Sequence, residues 1–206
     1  MAESVADLEI LYNVDATFEY TSCRGLVRAL RAFCEPIFLD RTSLMLDHTV
    51  LITRFPPQMF GPESEDVDNP VLRNGKALYF PDSQILIFTM PSCPHERLVR
   101  VIGHVWREKI SRMNCVEELA DIGGPTARLQ NLMKEPDGSW GPAAVDYPTC
   151  VLEVEVSESF RQLDHDAHRW IENELSRVTQ VVIVKIYPCR HEIIFAIWRK
   201  TASRRA

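Results

Sequence analysis

Lys134-Glu135-Pro136-Asp137-Gly138, followed by Val151-Leu152-Glu153-Val154-Glu155-Val156-Ser157-Glu158-Ser159, is the stretch from which the rest of this chain is read. Glu153 stands sixteen residues after Asp137. Asp137 follows a proline in what reads as a hairpin strand, and Glu153 and Glu155 lie two apart in an apolar run. Side chains at i and i+2 of a strand share a face, so Glu153 and Glu155 project together. Two carboxylates among Val and Leu are costly to bury. A divalent cation removes that cost, and three carboxylates converging from neighbouring strands suit a hard, oxygen-preferring ion such as Mg²⁺. Alone, Pro136-Asp137-Gly138 is also a strong turn sequence; Glu153 in the apolar run beyond it favours a site.

The arrangement resembles the PD-(D/E)XK nuclease superfamily, whose signature is an acid, a gap of about this size, then acid-x-lysine. Pro136-Asp137 matches the first half, Glu153 the second acid, and Glu155 stands where lysine is expected. Tyr79 to Met90 followed by Pro91-Ser92-Cys93-Pro94-His95-Glu96-Arg97-Leu98 is similar to the strand-then-helix opening of a restriction-endonuclease-like family abundant in cyanobacteria. Ser157-Glu158-Ser159 with Leu163, Asp166-Ala167 and Trp170 resembles fungal proteins of the same fold. The likeness covers residues 75–200. It implies an α/β, restriction endonuclease-like mixed sheet flanked by helices, with Mg²⁺ (or Mn²⁺) as cofactor and DNA as substrate.

By the same resemblance Asp137 and Glu153 are the direct metal ligands. Glu155 cannot supply the positive charge of the missing lysine; it acts instead as a base or a further ligand, or marks a site that has lost activity. Glu96 falls where related nucleases often carry an additional acid, although the helix dipole alone favours an acid in a first turn. His168 approximates a position often lysine or glutamine in relatives, and Asp164 with His168 at i, i+4 has the spacing of a transition-metal pair. A solvated helix face is the competing reading of that cluster.

With 206 residues, 46% hydrophobic and 25% charged, the composition is that of an ordinary globular protein. No apolar run approaches the roughly 20 residues of a membrane span, so no membrane partner is expected. Met1-Ala2-Glu3-Ser4 lacks the basic-then-apolar pattern of a secretory signal. The six cysteines (23, 34, 93, 115, 150, 189) contain no Cys-x-x-Cys pair. Cys93, Cys115 and Cys150 sit beside apolar segments and read as buried or inert thiols, and an intracellular compartment, cytoplasmic or nuclear, is expected. A net charge of −6 argues against non-specific coating of nucleic acid. Local basic patches remain: Arg97, Arg100, Arg107, Lys109 and Arg112 on one helix, and the tail Arg199-Lys200 with Arg204-Arg205. A homodimer is an admissible assembly.

Residues 1–74 read as an N-terminal accessory region, helical over 5–40, with a β-like segment Thr49–Arg54 and an acidic loop Pro62–Pro70. Residues 75–206 read as the nuclease-like core. Its strands are Ala77–Phe80, Gln84–Met90, Ala127–Met133, Thr149–Val156, Val178–Tyr187 and Glu192–Trp198. A helix from His95 to Met113 places Leu98, Val101, Ile102, Val105, Trp106 and Ile110 inward, and a second helix runs from Ser159 to Ser176. The 160–176 helix bridges a parallel strand pair, and the continuous apolar run Val178–Tyr187 predicts a strand covered on both faces. A nuclease-fold protein without catalysis, serving as a binding or scaffolding module, is the competing functional expectation.

Overall fold

Pro136 has no N–H to give to a sheet ladder, and the chain changes sheets across it. The amide of Glu135 donates to the carbonyl of Ala77, whereas that of Asp137 donates to Leu152 in the other sheet. In this computed structural model, which describes residues 4–60, 75–157 and 159–201, the described strands therefore form two mixed sheets, not one. The acidic loop Pro62–Pro70, Glu158 and Arg204-Arg205 lie outside the described residues.

The first sheet runs β1-β2-β4-β3-β7-β6 and the second β11-β10-β9-β8-β5. The first contains β1 (Ala16–Glu19), β2 (His48–Thr53), β3 (Lys76–Phe80), β4 (Ile85–Met90), β6 (Ala127–Arg128) and β7 (Met133–Lys134). The second contains β5 (Leu119–Asp121), β8 (Gly138–Pro142), β9 (Cys150–Glu155), β10 (Gln180–Tyr187) and β11 (Glu192–Arg199). Four α-helices accompany them among the described residues: α1 (Val5–Leu11), α2 (Cys23–Leu39), α3 (Cys93–Arg112) and α4 (Phe160–Glu172).

The β9-α4-β10 unit has the expected parallel pairing, with Glu153 opposite Ile183 and Glu155 opposite Lys185. Both faces of β10 are covered. Leu163, Ala167 and Trp170 of α4 pack with Val181 and Ile183 on one side. Leu98, Ile102 and Trp106 of α3 pack with Val182 and Val184 on the other. Each fully buried aliphatic side chain contributes about 1.5–3 kcal/mol, so these two layers set the register of the strand. The α4 stripe that faces the sheet also contains Asp166, fixed there by its spacing between Leu163 and Trp170.

Several elements differ from the sequence expectation. The first 74 residues are not a helical appendage alone, because β1 pairs in parallel with β2, which pairs with β4. Between α1 and α2 the alternating Ala-Thr-Phe-Glu forms strand, and Ser22 starts α2 by accepting from Gly25 N. The stretch from Ala127 to Met133 is a hairpin of two short strands, closed by the Leu129 amide on the Leu132 carbonyl. On α3, Val101 and Val105 are exposed, whereas Leu98, Val99, Ile102, Trp106 and Ile110 reach the core. Helix α4 stops at Glu172, because Asn173 turns extended and its Oδ1 accepts from Leu175 N; Leu175 is exposed. Cys93 is exposed as well. No described helix is long and apolar enough to cross a membrane.

Candidate functional site

Asp137 is clamped against β9. Its own amide donates to Leu152 O, and the Val154 amide donates back to Asp137 Oδ2 at 2.6 Å. Glu153 lies between those two residues, so the spacing read from the sequence places Asp137 directly beside it. The Asp137 side chain is 1% exposed. Its Oδ1 contacts His95 Nε2 at 2.6 Å and the ammonium of Lys76, the first residue of β3.

His95 is held in turn from the region ahead of β2. Asp47 Oδ2 lies 3.1 Å from His95 Nδ1 and accepts from Val156 N, and Asp47 Oδ1 accepts from Ser92 N at 2.6 Å. One carboxylate thus ties the start of α3 to the end of β9. Burial pushes the Asp47 carboxyl up, but hydrogen bonding to His95 and its neighbours outweighs it and holds the group well below the ordinary carboxylate range. Burial, with Lys76 nearby, holds the His95 imidazole below its usual value despite Asp47.

Glu153 and Glu155 are both buried on the same face of β9. Glu153 Oε1 accepts from the Trp170 indole at 2.5 Å and lies 3.4 Å from Lys134 Nζ. Lys134 also donates to Asp166 at 2.8 Å, and Asp166 accepts from the Tyr12 hydroxyl of the N-terminal region. Burial raises the Asp166 carboxyl, but the charges of Lys134 and Arg169 more than reverse it. Glu155 Oε1 accepts from the amides of Val156 and Ser157, ordering the turn that leads into α4. The lysine opposite it, Lys185 of β10, donates to Val156 O.

These groups surround a cavity of about 40 Å³ between the sheets, roomy enough for a few waters. Glu135, Glu153, Glu155 and Asp166 line it with Lys76 and Lys134, four carboxylates against two ammonium groups. Asp137 is not part of that lining and reaches it through Lys76 and His95. Among the described residues no three His, Cys, Asp or Glu side chains are grouped to hold a metal ion in this arrangement. Gln162, one helical turn before Asp166 on α4, is buried with both ends of its amide lacking a hydrogen-bond partner among the described residues. The carboxylate-rich lining and its excess negative charge fit a hard divalent cation, provided that Lys76 moves off Asp137.

Asp137 also lines a groove on the other side, against α3, with Arg100, His104 and Arg107. Gly103, Gly123 and Gly138 keep that groove of about 320 Å³ open, and an added Cβ at Gly103 or Gly123 would meet nothing.

Two expected auxiliaries lie elsewhere. Glu96 pairs with Arg100 on the outside of α3, where a first-turn acid favours the dipole. His168 stacks on Trp198 and pairs with Glu172 on the outer face of α4. Neither lines the cavity. Conversely, Asp47, Lys76, His95, Lys134 and Asp166 belong to the site and the motif did not reveal them. A charged residue in an apolar pattern was the usable signal for Lys76 before Ala77-Leu78-Tyr79 and Asp166 in the α4 stripe; Asp47 carried none.

Neither protein-family models nor curated proteins match this chain.

Proposed function

We propose that this chain is a restriction endonuclease-like nuclease that hydrolyses DNA phosphodiester bonds with one divalent cation, Mg²⁺ or Mn²⁺. The observation that carries the reading is the cavity between the sheets. Its lining has two more carboxylates than ammonium groups, and the backbone of β9 clamps Asp137 beside it. Buried carboxylates in excess of their counter-ions are costly, and a doubly charged cation offsets that cost.

Asp137 and Glu153 are the residues that would hold the ion. When bound, it supplies polarisation of the phosphoryl oxygen and a more acidic bound water. Trp170 fixes the orientation of Glu153 through its indole N–H. Lys134, 3.4 Å from Glu153, keeps a positive charge near the position where β9 carries Glu155 and not lysine. Glu155 assists as a second carboxylate on the same face. Helix α3 carries five basic residues (Arg97, Arg100, Arg107, Lys109, Arg112) against two acids (Glu96, Glu108), and Arg100 and Arg107 line the groove beside Asp137. Their ion pairs are exposed and weak, so phosphates can replace the acids as partners. The free thiols and this substrate favour an intracellular, cytoplasmic or nuclear, setting.

The test is conversion of supercoiled plasmid in Mg²⁺ or Mn²⁺ by wild type and by Glu153→Gln. Nicking that requires the cation and is lost in the variant supports the reading; equal nicking by both excludes Glu153 from the chemistry. One observation favours the alternative of a non-catalytic binding module: both oxygens of Asp137 already have protein partners. That alternative expects DNA to be bound without cleavage and without uptake of a cation.

A further inference from the structure

We infer that Lys76 is an internal counter-cation that occupies Asp137 in the metal-free protein and must be displaced for a divalent cation to bind. The inference rests on the cation-dependent reading above and adds a competitor built into the fold.

Three partners hold Asp137, and they are not equally free to leave. The Val154 amide belongs to the β9 backbone. His95 is 1% exposed and is gripped from behind by Asp47. Lys76 sits at the start of β3 on a four-carbon stem, with a side chain 21% exposed. It alone among these three reaches solvent, so it alone can swing away without dismantling a strand or the Asp47–His95 pair. Its ammonium neutralises one charge of a cluster that also contains Glu153 and Glu155, all lining or touching one cavity. The lining has four carboxylates against the ammonium groups of Lys76 and Lys134, and exchange of the Lys76 charge for a dication lowers that excess by one. Burial pulls the Lys76 pKa down against the pull of those acids, so the ammonium is held there at a desolvation cost.

Because the cation-competent form requires an open Asp137, its apparent affinity is reduced by the fraction of molecules in which Lys76 has left. Removing the ammonium removes that reduction. Lys76→Met keeps the apolar stem and deletes the charge; Lys76→Gln keeps a donor and guards against a folding defect in the first variant.

The experiment is calorimetric titration of wild type, Lys76→Met and Lys76→Gln with MnCl₂ alone, without DNA. Both variants are expected to bind one Mn²⁺ per chain about tenfold or more tighter than wild type. Asp137→Asn introduced into Lys76→Met should abolish the gain. Metal-free Lys76→Met should also melt below wild type and regain the difference in saturating Mn²⁺. Equal affinity in wild type and both variants would overturn the competitor role and leave the cation-dependent reading intact. No binding to any of them would overturn both.

Discussion

The amide of Val154 donates a 2.6 Å hydrogen bond to Oδ2 of Asp137, so the acid of the Pro-Asp-Gly segment is locked to the strand that carries Glu153 and Glu155. A carboxylate accepting a backbone amide and contacting His95 and Lys76 is part of the fold as well as of the proposed site. Four measurable consequences follow from this geometry.

Asp137→Ala leaves the ammonium of Lys76 and the ring of His95 facing an empty position. Deleting one member of a buried ion pair costs about 3–5 kcal/mol. Urea unfolding should show the loss, and a midpoint equal to wild type would mean that these contacts are not formed in solution.

Trp170→Phe keeps an aromatic ring in the core but deletes the donor to Glu153 Oε1 and leaves part of the indole volume empty. Hydrogen bonds to charged groups contribute about 1.5–3 kcal/mol, and that range is the loss of stability expected from the missing donor. In a double-mutant cycle the effect should shrink when Glu153 is already Gln. Fully additive losses would show that the two side chains are not coupled.

The folded-state pKa of Asp47 is depressed below its ordinary value of 3.8. Its contribution to stability is therefore fully present above about pH 4 and is lost as pH falls below that value toward the folded-state pKa. Asp47→Asn should be less stable at pH 7 and show a shallower decline between pH 5 and pH 2, measured by urea unfolding across that range. An acid limb parallel to wild type would remove Asp47 from the account.

Arg100→Glu with Arg107→Glu reverses two charges beside the Asp137 groove and touches no core residue. DNA affinity by fluorescence anisotropy should fall, and the dependence on salt should become less steep, by about one unit of slope for each lost phosphate contact. Unchanged affinity and slope would place the nucleic-acid surface elsewhere.

The β9-α4-β10 unit was legible because its signals are local. An apolar run long enough for a strand covered on both faces and an acid pair at strand spacing need no knowledge of distant residues. The division into two sheets was not legible, because β6 and β7 have two residues each and a break at Pro136 reads equally well as a turn. The site residues missed by the motif are those whose partners are remote. Asp47 sits 45 residues before Ser92 and 109 before Val156, and nothing in Leu46-Asp47-His48 announces either contact. Glu155 stands where the resemblance expects lysine, and the two lysines that line the cavity come from β3 and β7.

The most direct test of the central claim is the anomalous diffraction of a crystal soaked in Mn²⁺. The account predicts one peak between the two sheets, with oxygens of Asp137 and Glu153 each at about 2.1 Å and the Lys76 side chain turned away. A well-ordered soaked crystal with no peak there, and with Lys76 still on Asp137, would contradict it.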